Sequence, residues 1–446
     1  MRRMLKVGLA LAVVPLALSA CSSGSSSSST TSAAASSAAS GSAGGSAAAS
    51  GSAGAGGGSS ASTLTVWADN SANTSKAITP LCEKWAAENG VTCVVRNFNG
   101  GTELQNALIQ GNSTGDVPDV FEGPHDQIGR FQQNGILAPV DLGANTDKFI
   151  QAAVQGVTYN GATMGVPWSM ENVALLTNKA LSPTCPSTLD EAVSNAEALI
   201  AAGTVQSGLG IAMQIGATGD GYHWQPLFSA DGGYAFKQNA DGTYDAKDMG
   251  IGGEGAIAAA TRLQQLTQKG IFGANVSFDI AKEAFNSGKS PYWITGPWGI
   301  PDAEAALGDN LMVCAIPSWE GSQYKSQPFV GVQMFFQTQK APNPVLASTF
   351  LNDEVMTTEF MDAMFAGDPR PPAWVESYTK AAAADPNIAA FGEYGANGAP
   401  MPANPEMASV WSDLGLAEYK VASGADPTST MEAAGKSIQK AIAAQG

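Results

Sequence analysis

The sequence predicts an α/β fold with enough chain for two lobes, on three observations. Strand-like and helix-like stretches alternate from Thr63 onward, the pattern of a mainly parallel sheet with helices on both faces. Residues 63–446 are more than one hydrophobic core of ordinary size organises. Aromatic and polar side chains gather at turns around Trp67, Trp168, Tyr222, Trp298 and Trp411, and loops at strand ends are where open α/β sheets hold ligands.

At the N-terminus, Arg2, Arg3 and Lys6 precede an apolar stretch, Val7 to Leu18, too short to span a bilayer comfortably. Leu18-Ser19-Ala20-Cys21 closes it and resembles the lipobox of bacterial lipoproteins. The expectation is a signal peptide over 1–20 and lipidation of Cys21; an ordinary cleaved signal with a chance Cys is the alternative. Residues 22–62 contain only Ser, Thr, Ala and Gly, which cannot bury apolar area, so 21–62 read as a lipidated Cys with a flexible tether. Its r.m.s. span would be about 35 Å.

Thr63 to Trp67 alternates as a strand and Asp69-Asn70 ends it, before a helix near Ile78 to Glu88. A strand follows over Val91 to Arg96. Asn99-Gly100-Gly101-Thr102-Glu103 reads as turn and cap for a helix over Leu104 to Gln110. Gly115 to Phe121 passes from turn to strand, and Val173 to Thr177 is a strand entered from the bend at Pro167-Trp168. Pro186-Ser187-Thr188-Leu189-Asp190-Glu191 carries cap chemistry for a long helix. Asp231 to Tyr244 suggests a short hairpin, and helices are expected around Glu254 to Lys269 and Ile280 to Ser287. Strand-like segments recur at Val313 to Pro317 and Phe329 to Phe336, after which the chain reads as mainly helical.

The stretch PYWITGPWGI, Pro291 to Ile300, draws the most attention. Its apolar run meets a Thr-Gly-Pro-Trp turn that continues neither helix nor strand, so a strand should end there with Trp298 on a loop. The alternative is that Trp298 plugs a core.

Net charge is −17 with 22 Lys and Arg, which disfavours phosphate backbones and anionic membranes, so no nucleic-acid partner is expected. Only 14% of residues are charged, a surface suited to uncharged polar ligands. Beyond Cys21, four cysteines remain in an oxidising compartment: Cys82, Cys93, Cys185 and Cys314. They allow three pairings, and free buried thiols are a further possibility. Cys82 with Cys93 is favoured because a helix turns at Asn89-Gly90 into a strand that packs back on it; Cys185 with Cys314 follows by elimination.

Several motifs lead nowhere. Gly111 to Gly115 satisfies GxSxG, but the order is helix, loop, strand, whereas a nucleophile elbow needs a strand before its Ser. His125 and His223 lack partners at metal-ligand spacing, and no phosphate or dinucleotide loop occurs, so no metal and no cofactor is expected. Asp69, Asp126, Glu171 and Asp220 lie at strand ends and could serve a glycosidase, which needs two opposed carboxylates. The same set fits binding without chemistry, since carboxylates and amides match sugar hydroxyls while aromatic faces cover the C–H face of a pyranose.

From Leu64 onward the chain resembles the maltose/maltodextrin-binding proteins of ABC importers, a branch of the extracellular solute-binding proteins. LTVWADN, GDVPDVFEGPHDQIG, MGVPWSMENVALLTNK, WQPLFSADGGYAFK, ITGPWGI, FVGVQMFF and MPANPEMASVW carry the resemblance. It implies a two-lobed periplasmic-binding-protein-like fold with three interlobe crossovers and a central ligand cleft. The N-terminal lobe would take 63–169 and 335–380, the C-terminal lobe 174–329 and 387–446, with hinges near Met170, Val332 and Ala383. Trp298 and Trp411 would be stacking platforms and Tyr222 a third aromatic wall. Asp126, Glu171 and Asp220 would match hydroxyls, with Asp69, Asn70 and Glu103 on site-facing loops. The family's Trp, Arg and Asp-Lys pair are replaced by Gly123, Gln127 and Ser71-Ala72, so the sugar itself is open; Trp168, Trp224 and Arg370 could compensate. The implied function is a monomeric, lipid-anchored receptor, not an enzyme, that hands malto-oligosaccharides to a membrane permease.

Overall fold

The computed structural model describes residues 62–69, 72–240 and 242–445. The signal peptide, Cys21, the tether to residue 61 and Asn70 lie outside the described residues.

Two sheets organise the chain. In the larger, seven-stranded one, Thr63–Asp69 lies between Thr92–Phe98 and Val120–Pro124 and is parallel to both. Phe329–Thr338 runs antiparallel to Val120–Pro124 and to Gly165–Glu171. The second sheet orders Leu311–Cys314, Ala174–Asn178, Tyr292–Thr295 and Ala212–Met213. Ala174–Asn178 is antiparallel to both of its neighbours, and Ala212–Met213 pairs in parallel. The expected mainly parallel sheet is therefore corrected to two mixed ones. Strands that arrive from the other half of the molecule, or by long excursions, enter in the opposite direction, and alternation of elements along the chain carries no record of that.

Each sheet has its own apolar core. The first holds Leu64, Val66, Phe121, Val166, Phe335, Phe336 and Trp374; Phe121 stacks on Phe336 at 4.7 Å. Around the second sheet, one cluster holds Leu175, Trp224, Phe228, Tyr292 and Leu414, and another Leu176, Trp293, Ala381 and Phe391. The chain passes between these territories three times. Gly165–Glu171 and Ala174–Asn178 are separated by two residues yet sit in different sheets. Within one continuous strand, Phe329 packs in the second territory and Val332 in the first. The third passage lies between Trp374 and Ala381, inside the Val375–Ala384 helix.

Local chemistry explains the elements. Thr188 caps Leu189–Ala201 by accepting from Glu191 N at 3.1 Å, while Glu191 accepts from Ser187 N. Gly100, with φ 113°, makes the turn before Gly101–Thr114 that a side chain would strain. Cys82–Cys93 ties the Ala72–Glu88 helix to the strand beside it, and Cys185–Cys314 closes a separation of 129 residues. Trp67 and Trp224 are buried against Phe98 and Phe228 and belong to the cores; the suggestion that Trp224 compensates in the ligand site is corrected.

Candidate functional site

The Tyr292–Thr295 strand is fully buried, and it ends where Gly296 and Pro297 lead into a short turn carrying Trp298. A Cβ on Gly296 would come within 2.2 Å of the indole, so only glycine lets the ring fold back over the chain. Trp298 is half-buried. Tyr222 lies 6.3 Å from its ring and His223 5.9 Å, both from the Gly221–Ala230 helix. Asp220 caps that helix, accepting from Tyr222 N and His223 N at 3.1 Å each, and Gln214 Nε2 also donates to it. Burial works against ionisation of Asp220. The adjacent His223, with these donors, outweighs it and holds the carboxyl below its ordinary value. Behind it, Glu418 is buried, accepts from Asp220 N at 2.5 Å, and is pushed well above the carboxylate range by that burial.

Elements of the first sheet supply the facing groups. Asp126 follows the Val120–Pro124 strand in a short helical turn, is fully buried, and accepts from Gln127 Nε2 at 2.6 Å. Trp411 Nε1, from the Val410–Ala422 helix packed on the second sheet, donates to the same Oδ2 at 3.1 Å. Burial is the main reason Asp126 is raised to about 7; its two side-chain donors offset part of the cost and the Glu171 charge adds to it. Glu171 ends the Gly165–Glu171 strand and accepts from Gln333 Nε2 at 2.9 Å.

Arg370 joins the two halves of the cluster. Its Nε lies 3.2 Å from both oxygens of Asp368, and its terminal nitrogen pairs with Glu171. The guanidinium carbon is 5.5 Å from the Trp298 ring and 5.9 Å from Trp168. Burial alone would lower its pKa, but Glu171 and Asp368 outweigh burial and raise it, so the charge is permanent. Trp168 is itself buried and donates to Glu122 Oε1 at 3.0 Å. The Tyr222 hydroxyl is buried with no hydrogen-bond partner among the described residues, as is Gln127 Oε1. Burial, then the charge of Glu171, raise the Tyr222 phenol well above its usual value, so it remains a donor.

Of the residues singled out in the sequence, Asp126, Glu171, Asp220, Tyr222, Trp298, Trp411, Trp168 and Arg370 therefore form one connected cluster. Glu103 stands apart: it is exposed and accepts from Asn99 N at 3.0 Å, holding the turn before its own helix. Asp69 ends its strand, paired in register with Phe98. Sequence reasoning missed Glu122, Asp368, Gln214, Gln333 and Glu418. A carboxylate inside the apolar run Val120-Phe121-Glu122 was the clearest available signal, because a buried charge demands a partner. Among the described residues no group of three or more His, Cys, Asp or Glu could hold a metal ion.

Chemically, the cluster offers aromatic faces from one side, carboxylates and a fixed guanidinium from the other, and buried donors and acceptors with spare capacity. That set fits a polyhydroxylated, uncharged molecule. The profile of the bacterial extracellular solute-binding protein family matches residues 81–390. A galactooligosaccharide-binding protein of Bacillus subtilis (strain 168) is 27% identical over 403 residues, 86% of this chain and 90% of that protein. A maltotriose-binding protein of Pyrococcus abyssi (strain GE5 / Orsay) is 25% identical over 79% of this chain and 75% of its own. A maltooligosaccharide ABC transporter solute-binding lipoprotein of Streptococcus pneumoniae (strain ATCC BAA-255 / R6) is 27% identical over 78% and 81%.

Proposed function

We propose that this chain, which belongs to the bacterial extracellular solute-binding protein family, captures malto-oligosaccharides between its two sheets and delivers them unchanged to the permease of an ABC importer. The observation that carries the reading is the convergence of Tyr222, Trp298 and Trp411 from one core with Asp126, Glu171 and Arg370 from the other. Indole and phenol faces stack on the C–H faces of glucose rings. Asp126, Glu171 and Asp220 accept from sugar hydroxyls, and the Tyr222 hydroxyl and Gln127 carbonyl gain partners. A site that pairs hydroxyls rejects sugars that leave those groups unmatched.

Because both lobes contribute, the ligand selects the closed arrangement by touching both, the three passages of chain serving as hinges. Cys21 anchors the chain by lipid at the outer face of the cytoplasmic membrane, and the 22–62 tether lets the monomer reach the permease. No helix of the described residues is long and apolar enough to cross a membrane.

The likeness to a galactooligosaccharide-binding protein supports a second reading, in which the sugar is a galactoside with the same site. Calorimetric titration with maltose, maltotriose, maltopentaose and galacto-oligosaccharides separates the two. Tight binding of the glucans is the expected result; heat from the galactosides alone would favour the second reading.

A further inference from the structure

A cavity of about 910 Å³ lies apart from the aromatic cluster: none of Asp126, Glu171, Asp220, Tyr222, Trp298, Trp411 or Arg370 lines it. Each of the three passages between the sheets lends it a wall. Met170 and Asn172 come from the first, Val330 and Val332 from the second, and Tyr378 from the third. Cavities of about 300–1,000 Å³ with mainly apolar walls are the size that encloses a small organic ligand.

The lining has a distinct chemistry. Among the described residues no Asp, Glu, Lys or Arg lines the cavity, in a chain whose net charge is −17. His125 is held by accepting from Val332 N at 3.0 Å and donating to Met401 O at 3.1 Å, and burial pushes it down to about 4, leaving it uncharged at neutral pH. Tyr159, Tyr244 and Tyr378 supply aromatic surface. An anionic guest would find no cation among the described lining residues, while a flat neutral one would find rings and amide groups.

The position of the cavity also couples it to lobe closure. A Cβ on Gly156 would meet Val332 Cγ2 at 2.8 Å, and one on Gly395 would meet Asn172 Oδ1 at 2.7 Å, so the walls press directly on the chain passages. His125 precedes Asp126, which accepts the Trp411 N–H from the other lobe. A change of angle between the lobes therefore reshapes the cavity and the sugar site together.

We propose that this cavity is a second ligand site, for an uncharged small molecule with an aromatic or aliphatic body, and that its occupancy biases the angle between the lobes. An occupant touching walls from both lobes holds the arrangement in which those walls stand at the right separation, and linkage makes the effect on sugar affinity reciprocal.

The test uses N-phenyl-1-naphthylamine, a neutral fluorophore that brightens in apolar surroundings, titrated into the full chain. Saturable one-to-one binding is expected. It should weaken at least tenfold in the Ala152→Trp, Ala396→Trp double variant, which fills the cavity from two exposed positions, with unchanged circular dichroism as the folding control. Should the double variant misfold, either single replacement serves. The anionic counterpart, 8-anilinonaphthalene-1-sulfonate, should bind at least tenfold more weakly than the neutral probe. Binding that does not saturate, or that ignores the filling variants, overturns the site. Equal binding of the sulfonate overturns the ligand class. Solution scattering reads the coupling: saturation with the neutral probe should change the radius of gyration, and an unchanged value overturns the link to closure.

Discussion

Trp411 Nε1 donates to Asp126 Oδ2 at 3.1 Å, joining a helix of the second core to the end of a strand in the first. A buried carboxylate is costly, so removing one of its donors should be felt in stability as well as binding. Trp411→Phe keeps most of the ring and deletes the N–H. We expect a loss of roughly 1–3 kcal/mol in urea unfolding. An unchanged midpoint would mean that the bond contributes nothing to the resting protein.

Arg370 is held by Asp368 and Glu171 and lies between Trp168 and Trp298. Arg370→Ala leaves two buried carboxylates without a cation and should cost roughly 3–5 kcal/mol. Arg370→Lys restores charge without the planar fork or the ring contacts, so intermediate stability is expected. Equal stability of the Lys variant and the wild type, by chemical denaturation, would contradict the importance of the fork.

Asp126 predicts a pH dependence with a definite sign. Its carboxyl is raised from an ordinary 3.8 to about 7 in the folded chain, so between about pH 4 and 7 the folded state holds a proton that the unfolded state has lost. Its contribution to stability is therefore greatest below pH 4 and declines as pH rises to 7. In Asp126→Asn that decline should vanish, a difference on the order of 1–4 kcal/mol across the window. Wild type and variant share His125, whose opposite shift cancels in the comparison. Parallel stability curves from pH 4 to 7 would show that Asp126 is not raised.

The two disulfides close chain separations of 11 and 129 residues. On chain-entropy grounds, replacing both cysteines by Ala should cost about 3 kcal/mol for Cys82–Cys93 and about 5 kcal/mol for Cys185–Cys314. Denaturant unfolding of the two paired variants checks the order, and a larger loss for the short loop would contradict it.

Much of this site could be read from residues alone. Trp298 announced itself because Gly-Pro-Trp must break a strand, and Trp298 indeed leaves the buried Tyr292–Thr295 strand on a short turn. Glu191 and Thr188 announced a helix start through cap spacing. Sheet direction was not legible, because whether Phe329–Thr338 runs parallel or antiparallel depends on a partner, Val120–Pro124, some two hundred positions away. The same holds for the carboxylates. Glu103 and Asp126 look alike as strand- or helix-end acids, yet one is exposed at its own helix turn and the other is buried against Trp411. Asp368 and Glu122 escaped notice because their partners, Arg370 and Trp168, reach them only through tertiary packing.

The central claim is that an uncharged α-glucan is clamped between Trp298 and Trp411 on one side and the carboxylates of the other lobe, without being altered. Isothermal titration of maltotriose into the wild type and into Trp298→Ala tests it most directly. The wild type should bind one to one and the variant at least tenfold more weakly, the loss of roughly 1.4 kcal/mol or more expected when a stacking anchor is truncated. Identical affinities in the two proteins would contradict it.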